Sequence, residues 1–159
     1  MVRSGLLVLV ALLVLTSVLT PVTVSAQVVH LPTSDPQMKA AVASARRALP
    51  IFEAAFRDKR GSAYGVRIPI RDSRGAIENI WMEVDAIEGA VFVGRIGNTP
   101  ANLPNLQLGS PYRASRAVVS DWSYNIGQTI HGGYTTRVTL KYLSKDQADI
   151  LRAALAPLP

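Results

Sequence analysis

The 159-residue sequence contains no cysteine. This absence excludes disulfide bonds, thiolate metal sites, a cysteine nucleophile and a lipidated N-terminal cysteine. Histidine is also scarce, because His30 and His131 are the two present. A histidine-rich metal site is therefore excluded, and any chemistry that needs an imidazole depends on these two residues.

Charged side chains are missing from residues 4–34. Within this stretch, residues 6–15 are an unbroken run of Leu, Val and Ala, which follows the single positive charge of Arg3. The run is shorter than the about 20 apolar residues of a membrane-spanning helix, and Val24-Ser25-Ala26 has the small residues that signal peptidases recognise. We therefore expect cleavage after Ala26 and an exported protein, periplasmic or secreted. An uncleaved N-terminal membrane anchor is the alternative.

The sequence predicts three segments: a signal peptide over residues 1–26, an extended lead-in over 27–34, and one α+β domain over 35–159. Asp35-Pro36 is a typical helix start, because the carboxylate caps free amides and proline fits the first turn. Apolar residues then recur at spacings of three and four as far as Phe56, which indicates a helix with one buried face. Pro50 predicts a kink in this helix, or two short helices.

After Gly61 the apolar pattern alternates, which is typical of strands. Five segments have this pattern and short connections, so they predict an antiparallel sheet of about five strands: residues 63–70, 77–84, 90–96, 112–124 and 133–143. Ser144 and Gln147 resemble a capping box that starts a closing helix. Helices that flank such a sheet give an α+β fold. We expect seven residues to be buried in its core: Leu49, Phe52, Phe56, Ile80, Met82, Val138 and Leu140.

Several short motifs occur in a fixed order along the predicted domain. They are Ile77-Glu78-Asn79-Ile80-Trp81-Met82, Gly94-Arg95-Ile96-Gly97-Asn98 with Pro100, Leu108-Gly109, Val119-Ser120-Asp121-Trp122, and Gly132-Gly133-Tyr134-Thr135 with Arg137. Together with Leu49-Pro50, Phe52 and Phe56 they resemble the YegJ-like domain of unknown function, over about residues 38–140. The resemblance implies a small bacterial α+β domain and implies no activity.

The composition of the predicted loops favours a binding role. Exposed loops, glycines and a few aromatic side chains are typical of recognition surfaces. We predict a non-catalytic binding or accessory module of the bacterial envelope, with no cofactor, whose partner is an envelope protein, a peptide or a glycan. Nucleic acid is disfavoured because export is expected and no nucleic-acid-binding motif is present. The predicted ligand-binding residues are Arg95, Asn98, Asp121, Trp122, His131, Gly132 and Gly133.

A small hydrolase is the alternative function. It would use His131 with Asp121 and a nearby serine, either Ser120 or Ser123. The sequence has no Gly-x-Ser-x-Gly elbow, and in a straight strand Ser120 and Asp121 face opposite sides. A metal site that combines His131 with Asp121 and a further carboxylate lacks the usual ligand spacing, so no metal site is predicted.

Overall fold

The structure, a computed structural model, describes residues 35–159, and the predicted signal peptide and lead-in lie outside them. Helix α1 (Pro36–Arg57) opens the described part, and Asp35 Oδ1 accepts from the Gln37 amide at 2.8 Å as its N-cap. The helix continues through Pro50 as one element rather than as two short helices. A kink at Pro50 stays a prediction. Its buried face consists of Met38, Ala45, Leu49, Phe52 and Ala55.

The sheet has six strands, one more than expected, and all neighbouring strands are antiparallel. The strand order is β4-β3-β2-β1-β5-β6. The strands are β1 (Ser62–Arg71), β2 (Ile77–Glu88), β3 (Val91–Ile96), β4 (Pro111–Ser115), β5 (Asp121–Ile126) and β6 (Thr129–Gly132). The predicted α+β class is confirmed.

The core lies between α1 and one face of the sheet. Alternate residues of each strand point toward α1, so burial alternates along β2 and β3. Phe52 of α1 is fully buried and contacts the rings of Tyr64, Phe92 and Trp122 at centroid distances of 5.9 to 6.0 Å. Leu49, Phe52, Ile80 and Met82 are buried as predicted, whereas Phe56 is half-buried at the edge of the core.

The prediction of a strand over residues 133–143 is wrong. Helix α2 (Tyr134–Thr139) and a 3₁₀ turn (Leu140–Tyr142) occupy this segment. Gly133 has a left-handed backbone with φ of 66°, which turns the chain out of β6 and starts α2. Val138 and Leu140 are half-buried rather than part of the core, because the segment does not extend along the sheet.

The predicted strand over residues 112–124 is divided into β4 and β5. A 3₁₀ turn (Arg116–Val118) separates them, and the Ser115 hydroxyl caps it by accepting from the Ala117 amide at 3.3 Å. Strand β6 was not predicted, because its four residues are too few to establish an alternating pattern. The closing helix α3 (Lys145–Ala154) has the predicted capping box between Ser144 and Gln147.

Candidate functional site

Asp121 is the most heavily hydrogen-bonded side chain of the predicted site. Its carboxylate is completely buried and accepts from the amides of Trp122 at 2.8 Å, Tyr134 at 3.1 Å and Thr135 at 2.7 Å. The Thr135 hydroxyl donates to it as well, at 2.6 Å. Burial raises the pKa of this carboxyl, although the bonds from Thr135, Trp122 and Tyr134 oppose the shift. Asp121 thus caps α2 from a neighbouring strand, since the N-cap residue Gly133 has no side chain.

Trp122 and Gly132 form a close packing contact beside this cap. The Trp122 side chain is buried against α1, and its Nε1 donates to the Ala45 carbonyl at 2.9 Å. Gly132 has φ of 83°, and a Cβ atom there would lie 2.5 Å from the indole Cε3. The glycine therefore lets the backbone lie directly against the indole ring.

His131 lies across from Tyr124 in the β5–β6 pair. The two rings stack with a centroid distance of 5.1 Å and an angle of 11°. Cross-strand partners point to the same side of a sheet, so His131 faces the α1 side and is half-buried. Gly133 follows, and its amide donates to the Trp122 carbonyl at 2.9 Å.

The hydrolase residues do not meet in a triad. Ser120 Oγ donates to the Arg67 carbonyl at 3.0 Å. Ser123 is adjacent to Tyr124 in β5 and therefore faces away from His131. Among residues 35–159, no hydrogen bond joins His131 to Asp121 or to either serine.

Arg95 and Asn98 lie apart from the Asp121 cluster, since β1 and β2 separate β3 from β5. Asn98 Oδ1 accepts from the Trp81 amide at 2.7 Å and extends the β2–β3 ladder by one bond. Arg95 forms an exposed ion pair with Asp85 at 2.8 Å. The structure therefore brings Asp121, Trp122, His131, Gly132 and Gly133 together and leaves the other two predicted residues elsewhere. The ligand-binding role of all seven stays a prediction.

A groove of about 630 Å³ lies between α1, α2 and the C-terminal residues. We call it the α1–α2 groove. Its walls are mostly apolar, and its polar groups include Arg47 from α1 and both Tyr134 and Arg137 from α2. The lining residues are Ala40, Ala41, Ser44, Arg47, Ala48, Ile51, Tyr134, Arg137, Leu158 and Pro159.

The two arginines of the α1–α2 groove differ in how they are held. Arg137 is half-buried, and its Nη2 donates to the carbonyls of Gly132 at 3.3 Å and Ala156 at 2.5 Å. Its Nε is buried without a hydrogen-bond partner in the part of the chain that the structure describes. Burial lowers the pKa of this guanidinium. Arg47 is exposed and donates to the Ser44 hydroxyl at 2.9 Å.

Comparison with known proteins identifies the family. The family model described as "Uncharacterized protein conserved in bacteria (DUF2314)" matches residues 35–155. The chain belongs to this family. One relative is "Uncharacterized protein YegJ" of Escherichia coli (strain K12), which is 32% identical over 118 residues, covering 74% of this chain and 76% of the relative. No solved structure matches. The predicted resemblance to the YegJ-like domain is confirmed.

Sequence reasoning did not place Tyr134 and Arg137 of this DUF2314 protein in one site. Both residues are part of the motif Gly132-Gly133-Tyr134-Thr135 with Arg137, so the sequence did mark them as family-like positions. In a strand, residues three apart point to opposite sides, whereas in a helix they share a face. Because residues 133–143 were predicted as a strand, the two side chains were assigned to opposite faces.

Two further findings concern the part of this chain that the structure describes. Between Asp35 and Pro159, no helix is both long and apolar enough to cross a membrane. Over the same residues, no three His, Asp or Glu side chains are grouped in a way that would hold a metal ion.

Proposed function

We propose that this DUF2314 protein is an exported, non-catalytic binding module of the bacterial envelope, and that the α1–α2 groove is its ligand site. The observation that carries the proposal is the groove itself, an open volume whose apolar walls surround two arginines and a tyrosine. Ligand sites are typically concave, mostly apolar, and supplied with a few polar groups that orient the ligand, in volumes of about 300–1,000 Å³.

The arrangement around the groove favours binding over catalysis. A hydrolase would require Asp121 to give up its bonds to the start of α2 and His131 to leave its stack on Tyr124. The bonds from Asp121 hold the start of α2, which carries Tyr134 and Arg137 of the groove, so they support a fixed, preformed site.

Export is the first prediction from this proposal. The full-length chain expressed in a bacterium should be recovered outside the cytoplasm, because Arg3, the apolar run and Ala26 provide the parts of a signal peptide. Intact mass spectrometry of that fraction should give a chain that begins at Gln27. Recovery of the full-length chain in the membrane fraction would support the uncleaved anchor instead.

Filling the α1–α2 groove should abolish ligand binding. Ala40 is exposed and lines the groove, whereas Ala43 is exposed on the same helix and does not line it. We expect the neutral fluorescent probe N-phenyl-1-naphthylamine to bind the wild type and Ala43→Trp alike. Its fluorescence enhancement should be lost in Ala40→Trp, because the indole would occupy the space of the probe. The measurement is a fluorescence titration, and thermal unfolding of both variants checks that each is folded.

Equal probe binding by Ala40→Trp and Ala43→Trp would contradict the assignment of the groove.

The non-catalytic part of the proposal has its own test with a library of ester, peptide and glycan substrates. Turnover that disappears in His131→Ala would establish the hydrolase alternative.

A further inference from the structure

We propose that the ligand of the α1–α2 groove is an apolar chain or ring that carries one anionic group, a carboxylate or a phosphate, held by Arg47 and Arg137. This inference rests on the binding role proposed above and specifies its ligand. Three features of the described residues carry it: two arginines without ion-pair partners, unequal anchoring of their guanidinium groups, and the apolar walls beside them.

The two arginines of the groove have no ion-pair partner among the described side chains. No acidic side chain is among the described lining residues, and neither Arg47 nor Arg137 forms an ion pair within residues 35–159. The nearby carboxylate of Asp121 is already occupied by the amides of α2 and by Thr135. A guanidinium that is partly removed from water binds an anion strongly, because it offers several N–H donors in one plane.

The two guanidinium groups are anchored to different extents. Arg137 is fixed by the carbonyls of Gly132 and Ala156, so its position is set before a ligand arrives. Arg47 is exposed on α1 and its guanidinium has one bond, to Ser44, so little holds it against turning toward an anion in the groove.

The walls next to the arginines suit an apolar body. Ala40, Ala41 and Ala48 are small, so α1 leaves space along this side of the groove. Ile51 and Leu158 also line it, and they are exposed apolar residues with accessible fractions of 38% and 41%. With the alanines, these side chains give the groove an apolar lining that suits an apolar group.

Paired fluorescent probes test the anionic part of this inference. 8-Anilinonaphthalene-1-sulfonate has the ring system of N-phenyl-1-naphthylamine and adds one negative charge. We expect the sulfonate to bind the wild type about tenfold more tightly than the neutral probe. Arg47→Gln should remove most of this preference and leave the neutral probe within about twofold of the wild type. Arg57→Gln, which removes an exposed charge from the end of the same helix, should change neither affinity.

Competition for the bound sulfonate probe distinguishes the two anionic sources. Displacement by octanoate identifies a carboxylate ligand, displacement by octyl phosphate identifies a phosphate, and octanol should displace the sulfonate probe much less than either anion at the same concentration. Equal affinity for the two probes, or an equal loss of both in Arg47→Gln, would overturn the inference and leave the binding role intact. Failure of both probes to bind the folded wild type would overturn the inference and the binding role together.

Discussion

Asp121→Ala is expected to destabilise the protein by about 3–5 kcal/mol, because three buried amides and a buried hydroxyl lose their acceptor at once. Domains of this size have stabilities of roughly 5–15 kcal/mol, so the change removes a large fraction of the total. The melting temperature should fall by roughly 10–20 °C. Thermal unfolding followed by circular dichroism measures the effect.

A matched control separates the capping of α2 by Asp121 from the general effect of removing a carboxylate. Asp85 pairs with Arg95 on the surface, with both side chains well exposed, so Asp85→Ala should cost less than about 1 kcal/mol. The loss of stability in Asp121→Asn should lie between the losses in Asp121→Ala and Asp85→Ala. The remaining amide oxygen still accepts a hydrogen bond, whereas the new NH₂ group is a donor that faces another donor. If Asp121→Ala melted at the temperature of Asp85→Ala, the capping of α2 by Asp121 would be refuted.

Gly132→Ala is expected to have the second large effect. It should lower the free energy of unfolding by about 3 kcal/mol or more. A Cβ at this position would lie 2.3 Å from the Trp122 carbonyl oxygen and 2.5 Å from the indole ring, and the left-handed backbone adds strain. The backbone and the buried indole cannot both move aside without disrupting the contact of Trp122 with α1. Denaturant unfolding of the purified variant measures the loss.

Gly127→Ala is the control for backbone strain alone. Gly127 also has a left-handed backbone, with φ of 58°, but its Cβ would meet nothing within 4 Å. Gly127→Ala should lower the free energy of unfolding by about 1 kcal/mol. Equal losses for Gly132→Ala and Gly127→Ala would mean that close packing against Trp122 is not the reason for glycine at position 132.

Much of the fold follows from local patterns. The apolar stripe of α1, the alternation along β2 and the capping box at Ser144 each depend on neighbouring residues, and each is present in the structure. The segment from Tyr134 to Tyr142 alternates equally well, yet it is helical. Its conformation depends on Asp121, which is distant in sequence, and on the left-handed Gly133. Tertiary interactions therefore override the local β propensity there.

None of the seven predicted ligand-binding residues lines the α1–α2 groove, for the same reason. Motif residues such as Asp121 and Gly132 were conspicuous in the sequence, and the structure gives them capping and packing contacts. The α1–α2 groove depends on how α2 lies against α1, and strand periodicity assigned Tyr134 and Arg137 to opposite faces. Arg47 gave no signal of its own, because an exposed arginine on a helix is ordinary surface.

The most direct test of the central claim, that ligand binds in the α1–α2 groove, is an NMR titration of the protein with 8-anilinonaphthalene-1-sulfonate. We expect the backbone amide shifts that change most to belong to groove residues, led by Ser44, Arg47, Tyr134 and Arg137. Amides of the loop that joins β3 to β4, which contains Asn98, should stay in place, because β1 and β2 separate β3 and β4 from β5 and β6. Changes centred on that loop or on Arg95, with the groove amides unmoved, would contradict the account.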